Sequence, residues 1–153
     1  MNYVTLRDAT ASDLPIFFEH QLDPEATAMA AFPSRNKEAF DAHWAKTMAN
    51  DANILKTILY DGQVAGSLMS WETVDGREVG YWLGREYWGK GIATKALAEF
   101  LKTMKTRPLF AHVAKHNVAS RRVLEKCGFT VIGEDKYVNI GNEEVEEFVL
   151  KLK

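Results

Sequence analysis

The chain has 153 residues, 46% of them hydrophobic and 26% charged, with a formal net charge of −2 and one cysteine. That length suits a single domain over residues 1–153, able to bury about 68 to 70% of its unfolded surface. Without a basic excess, a long apolar run or a pair of cysteines, the composition argues against nucleic-acid binding, membrane binding and an internal disulfide, and a cytoplasmic protein is expected.

Residues 3–7 alternate as a short strand. Ser12-Asp13 then opens a helix, with Pro15 in the first turn where its missing N–H does no harm and Leu14, Phe17, Phe18 and Leu22 as the buried stripe. Asp23-Pro24 pairs an N-cap with a proline at the first helical position, which predicts a second short helix ending before Pro33. Phe40, Trp44 and Met48 give a third. Residues 54–60 and 63–71 flank Asp61-Gly62, a two-residue hairpin signal, and Asp75-Gly76 turns the chain again into a strand over residues 79–83. From Ile92 the period changes: Ile92, Ala93, Ala96, Leu97, Phe100, Leu101 and Met104 recur at three- and four-residue steps, one buried stripe of a helix with Lys95, Glu99, Lys102 and Lys105 outside it. A strand over residues 109–114 follows. Asn117 then caps another helix, Gly128 sits where a helix-ending glycine belongs, and residues 130–137 and 144–150 form a last hairpin.

Chemistry is expected where the strand ending at Leu83 runs through Gly89-Lys90-Gly91 into the helix at Ile92. Glycines let a ligand approach the backbone, and the first amides of a helix have no internal partners, so the junction suits a phosphate. A dinucleotide fingerprint beginning at Gly89 needs Gly or Ala where the chain has Thr94, and an acidic residue about 20 positions on that is missing. Gly84 to Lys90 satisfies G-x-x-x-x-G-K, yet Gly91 follows where a P-loop needs a magnesium-binding Ser or Thr. The remaining pattern is Q/R-x-x-G-x-G/A, and Trp88-Gly89-Lys90-Gly91-Ile92-Ala93 fits it at both small positions.

That loop resembles the pyrophosphate loop of the GCN5-related N-acetyltransferase (GNAT) superfamily, with Trp88 in place of the usual Gln or Arg, as in the branch that acetylates ribosomal-protein N-termini. Asn117-Val-Ala-Ser120-Arg-Arg-Val-Leu124-Glu-Lys-Cys-Gly128-Phe129 resembles the N-x-x-S/A…E-K-x-G-F segment of the same superfamily at the expected distance. The resemblance covers residues 62–153 well, and the earlier part in its order of elements. It implies an α/β (α+β) fold: a mixed, mostly antiparallel sheet of about seven strands, helices on both faces, and two central strands splayed to admit pantetheine.

The resemblance implies acetyl-CoA as co-substrate and an amine acceptor that is a small molecule or a protein N-terminus; no metal is expected, because no His, Cys or carboxylate cluster has metal spacing. It allows a homodimer, although no stretch announces an interface. Gly89, Lys90, Gly91, Ile92, Ala93 and Thr94 are the candidates for the pyrophosphate, Trp82 and Leu83 for pantetheine through their backbone, and Asn117, Ser120 and Arg121 for the rest of the cofactor. The acceptor pocket is expected between Phe18 and Arg35.

Direct attack needs a neutral amine. At pH 7 a lysine-like amine near pKa 10.4 costs roughly 5 kcal/mol to deprotonate and an α-amine near 8 only about 1. Glu78 and Glu72 are the candidate bases; His116 and His112 are weaker ones. On the acid side Leu124 stands where many relatives carry a tyrosine, so Ser120 is the candidate for stabilising the leaving thiolate. Cys127 reads as a packing residue, and no His, Cys or carboxylate spacing announces a metal. A non-catalytic acyl-CoA-binding module is the alternative reading.

Overall fold

The computed structural model describes residues 3–153. A seven-stranded sheet runs in the order β1-β2-β3-β4-β5-β7-β6, formed by β1 (Val4–Asp8), β2 (Ile54–Tyr60), β3 (Gln63–Thr73), β4 (Gly76–Leu83), β5 (Leu109–Ala114), β6 (Thr130–Val138) and β7 (Glu144–Leu152). All neighbours are antiparallel except β4 and β5. Five α-helices, α1 (Leu14–Leu22), α2 (Pro24–Ala30), α3 (Lys37–Ala49), α4 (Ile92–Thr103) and α5 (Val118–Lys126), and two short 3-10 helices, Ala11–Asp13 and Arg85–Tyr87, complete the described elements. The expected mixed, mostly antiparallel sheet with helices on both faces is present.

Strand alternation divides the sheet into two chemical faces. Val79 and Leu83 of β4 and Leu109, Ala111 and Val113 of β5 pack with Ile92, Leu97 and Phe100 of α4 and Leu124 of α5 in one apolar core. Glu78, Gly80 and Trp82 of β4 and His112 of β5 therefore point to the other face. That face carries a second cluster, in which Phe17 of α1 packs on Phe40 and Trp44 of α3. The strongly amphipathic stripe read from Ile92 onward explains why α4 lies across the sheet, although the helix stops at Thr103 and Met104 is buried as its cap. The α1 stripe is narrower than expected. Phe17 is buried, but Leu22, the last residue before the Asp23-Pro24 turn, is 42% exposed.

A buried polar network anchors the start of the fold. Asp13, at the base of α1, accepts hydrogen bonds from both terminal nitrogens of Arg7 at 2.7 Å, from the Thr10 amide at 2.9 Å and from Thr57 Oγ1 at 2.7 Å. The Arg7 hydrogen bond holds its carboxyl well below the usual carboxylate range.

The feature that makes a site is where β4 and β5 part. Their parallel ladder consists of Arg77↔Leu109 and Glu78↔Phe110 and then stops. Beyond it the two strands diverge, and their facing backbone edges border a gap through the sheet.

Candidate active site

The gap is a slot of about 130 Å³ lined by Gly80 and Tyr81 of β4, Ala111 and His112 of β5, and Asn117, Ser120 and Leu124 at the start of α5, among others. Because neighbouring strand residues face opposite ways, His112 borders the slot on the α1–α2 face, whereas Tyr81, Ser120 and Leu124 border it on the α4–α5 face. Groups of different chemistry thus meet one opening from two sides.

On the α1–α2 face, His112 Nδ1 lies 2.7 Å from Glu147 Oε1 and 3.6 Å from Asp135, while its Nε2 lies 3.3 Å from Glu78 Oε1. Three carboxylates from three strands surround one imidazole. The hydrogen bond to Glu147 is the main reason the His112 pKa is raised above the ordinary imidazole value, with burial opposing it. Burial pushes the Glu78 carboxyl up, with the His112 charge opposing it, and burial raises Glu147 as well. His112, Asp135 and Glu147 also place one potential ligand atom each within 4.8 Å of one another, a triad that sequence spacing did not announce. The 2.7 Å Nδ1–Oε1 separation is a hydrogen-bond distance, and an ion there would have to break that bond.

On the α4–α5 face, Asn117 Oδ1 accepts from the Ser120 amide at 3.2 Å, the expected cap. The Tyr81 hydroxyl donates to Ser120 Oγ at 3.1 Å. Leu124, one turn further along α5, closes the apolar side. Tyr81 escaped the sequence reading because β-propensity alone accounts for it; its signal is a polar tip on the apolar face shared with Val79 and Leu83.

The glycine loop lies between β4 and α4. Gly89 and Gly91 both have φ of +75°, the left-handed region that favours glycine, and Gly91 is the N-cap of α4. A Cβ at either position would meet no atom within 4 Å, so backbone conformation rather than crowding requires glycine there, and the loop's outer side is open. Lys95 donates its amide to Gly91, the first turn of the helix. The amides of Ile92, Ala93 and Thr94 precede that bond and are free of helical partners. The side chains of Ile92 and Ala93 are buried, so only their backbone is available to a ligand; Lys90 is exposed on the loop. Trp88 braces the loop by donating its indole N–H to the Leu83 carbonyl at 3.2 Å. That carbonyl is thereby engaged, and the Trp82 indole is drawn to the His20 carbonyl of α1 at 3.4 Å.

The other expected site residues lie apart from this arrangement. Glu72 is opposite Arg77 in the β3–β4 register, whereas Glu78 is opposite Trp71. The two glutamates therefore face opposite sides of the sheet, and Glu72 accepts from Arg77 Nε at 3.0 Å. Arg121 places its guanidinium 4.8 Å over the Phe148 ring and 3.5 Å from Glu125. His116 bonds the Ala28 carbonyl of α2 at 2.8 Å. Cys127, which the sequence reads as a packing residue and not as a site residue, packs against the core, and burial raises its thiol.

The family model described as acetyltransferase (GNAT) domain matches residues 4–130.

The chain belongs to the GNAT acetyltransferase family.

A curated relative, "Putative ribosomal N-acetyltransferase YdaF" of Bacillus subtilis (strain 168), is 31% identical over 113 residues, which cover 67% of this chain and 62% of that protein. The match thus spans less than two thirds of that relative. Solved structures share the fold at lower identity. Mycobacterium smegmatis RimJ in complex with CoA-disulfide superposes with a TM-score of 0.80 at 21% identity, covering 97% of this chain and 81% of that one. The ribosomal-protein-alanine N-acetyltransferase from Brucella melitensis gives 0.79 at 20% identity, covering 96% and 98%. A GNAT-family acetyltransferase from Bacillus anthracis gives 0.81 at 21%, covering 97% and 93%. Among the described residues no helix is long and apolar enough to cross a membrane.

Proposed function

We propose that this chain is an acetyl-CoA-dependent N-acetyltransferase that moves an acetyl group to a primary amine by direct attack. The observation that carries the reading is the slot itself, which opens through the sheet between a carboxylate–imidazole group on one face and a serine on the other, beside the glycine loop that starts α4.

The roles follow from the groups. The free amides of Ile92, Ala93 and Thr94 at the positive end of α4, with Lys90 on the loop, bind the pyrophosphate. The unpaired edges of β4 and β5 hold the pantetheine, and the thioester reaches Ser120. The acceptor enters from the α1–α2 face as an ammonium ion drawn by Glu78, Asp135 and Glu147, whose combined charge exceeds that of His112. Glu78 takes its proton: burial raises the carboxyl, which makes it a stronger base than an ordinary carboxylate. Glu72, paired to Arg77 on the opposite face, has no part. The neutral amine attacks the carbonyl, and Ser120 meets the charge that develops on sulfur.

The acceptor is a protein N-terminus or a small amine. The name of the curated relative favours a ribosomal-protein N-terminus, and an α-amine asks about 3 kcal/mol less of the base than a lysine-like amine does. Leu124, which gives the slot no proton donor of its own, supports the alternative of a non-catalytic acyl-CoA-binding module. Thermal unfolding with acetyl-CoA, CoA and Mg-ATP tests the binding part. A ligand at about 100 times its Kd adds about 2.7 kcal/mol of stability, so stabilisation by either CoA species without Mg-ATP supports the reading, and no stabilisation by CoA species overturns it.

A further inference from the structure

We propose that Tyr81 is a positioning residue for the leaving-group half of the reaction: by donating its hydroxyl to Ser120 Oγ it turns the serine's own proton toward the slot, where the sulfur departs. The inference rests on the proposed function and adds a residue from β4 to a step otherwise assigned to α5 alone.

The argument is one of donor and acceptor inventory. A serine hydroxyl has one proton and two lone pairs, and a phenol has one proton to give. A buried hydroxyl proton needs an acceptor, and the Tyr81 proton finds Ser120 Oγ at 3.1 Å. With a lone pair filled from Tyr81, the serine's own proton points elsewhere. Asn117 Oδ1 holds the Ser120 amide at 3.2 Å, which fixes the start of α5 and leaves hydroxyl rotation as the main freedom. Tyr81, Asn117, Ser120 and Leu124 all line the slot, and Leu124 is 4% exposed and apolar. The Ser120 hydroxyl is therefore the donor that α5 presents to the slot, and Tyr81 sets its direction.

The step balances without transfer of the Tyr81 proton. Glu78 takes the ammonium proton and passes it to water, the amine lone pair forms the C–N bond, the C–S electron pair leaves with sulfur, and the second nitrogen proton, lost as the amide forms, goes to the again-ionised Glu78. The thiolate leaves as an anion held by the Ser120 O–H and takes its proton from water on release. A thiol near pKa 8.5 tolerates this, whereas a phenol near 10 is too weak an acid to protonate it fully. What Tyr81 supplies is orientation, so a thiolate bound in the slot is stabilised by a hydroxyl already turned to it.

Ultraviolet titration of the CoA thiol bound to the full-length protein tests this, because thiolate absorbs where thiol does not. In the wild type the bound thiol ionises at lower pH than free CoA. Tyr81→Phe keeps the ring in the core and reduces the ionisation constant of the bound thiol about fivefold, the worth of one neutral hydrogen bond. Ser120→Ala reduces it at least as much, and the double variant matches Ser120→Ala alone because Tyr81 acts through the serine. In turnover, Tyr81→Phe lowers kcat and leaves KM for acetyl-CoA unchanged. Identical thiol titrations in the wild type and in these variants, with CoA affinity intact, overturn the Tyr81 role and leave the proposed function standing. Failure of the wild type to bind CoA removes the proposed function itself.

Discussion

Glu78 Oε1 lies 3.3 Å from His112 Nε2, across the point where β4 and β5 part company. The pair couples a carboxylate raised by burial to a neighbouring cation that lowers it. With Glu78 as the proposed base, its acid–base balance sets the pH dependence of amine deprotonation. Activity requires ionised Glu78 and falls as pH falls through its pKa, which burial moves above the ordinary glutamate value near 4.3. Glu78→Gln lowers kcat by about 10² to 10⁴, removes that acid limb and leaves acetyl-CoA affinity intact. His112→Asn removes the opposing charge, so the limb moves to higher pH. A pH profile of kcat for the two variants checks both, and an acid limb that survives in Glu78→Gln contradicts the assignment.

Gly91 is held at φ +75° where α4 begins, with open space where a Cβ would stand. Gly91→Ala costs about 1 to 2 kcal/mol of stability through left-handed strain and sets a methyl at the mouth of the loop, lowering CoA affinity. Lys90→Ala leaves stability unchanged and weakens CoA binding by up to about 1 kcal/mol, an effect that shrinks with added salt. Calorimetric titration of CoA into both variants at low and high salt separates conformational from electrostatic contributions.

The loop and its flanking elements were legible in the sequence because the evidence for them is local. Strand β5 spans residues 109–114 as alternation predicts, and α4 begins at Ile92, where the hydrophobic period changes from two to near 3.6. The partners of His112 were not legible. Glu78, Asp135 and Glu147 come from three other strands, and their convergence depends on sheet order and on a register shift in β6 between Val131 and Gly133. Glu72 and Glu78 looked equivalent as strand carboxylates; only the pairing of Glu72 with Arg77 and Glu78 with Trp71 separates them by face. Tyr81 and Ser120 are 39 positions apart, and no periodicity links them.

Trp88, the departure from the usual Gln or Arg of the loop, holds the loop to the Leu83 carbonyl through its indole N–H. Trp88→Phe keeps most of the ring and removes that donor, which costs about 1 kcal/mol and loosens the loop, so CoA affinity falls with the stability. Unchanged CoA affinity in a folded Trp88→Phe protein contradicts the bracing role.

Asp13 serves the fold and lies outside the slot. Removing its charge with Asp13→Asn leaves Arg7 without its ionic partner and costs about 2 to 3 kcal/mol, with no change in CoA affinity once folded. Because the folded carboxyl titrates below its unfolded value near 3.9, its contribution is complete above that value and is lost as pH falls below it. Chemical denaturation of the wild type and Asp13→Asn between pH 7 and pH 3 checks the sign: the gap between them narrows as the acid side is approached.

The central claim is acetyl transfer to an amine that loses its proton to Glu78. It is tested most directly by following free-thiol release from acetyl-CoA with a panel of peptide N-termini and small amines, for the wild type and Glu78→Gln side by side. The account predicts release that requires both acetyl-CoA and an amine, recovery of the acetylated amine, and at least a hundredfold loss in Glu78→Gln. Tight CoA binding with no acetylated product from any amine, or equal turnover by the two proteins, would contradict it.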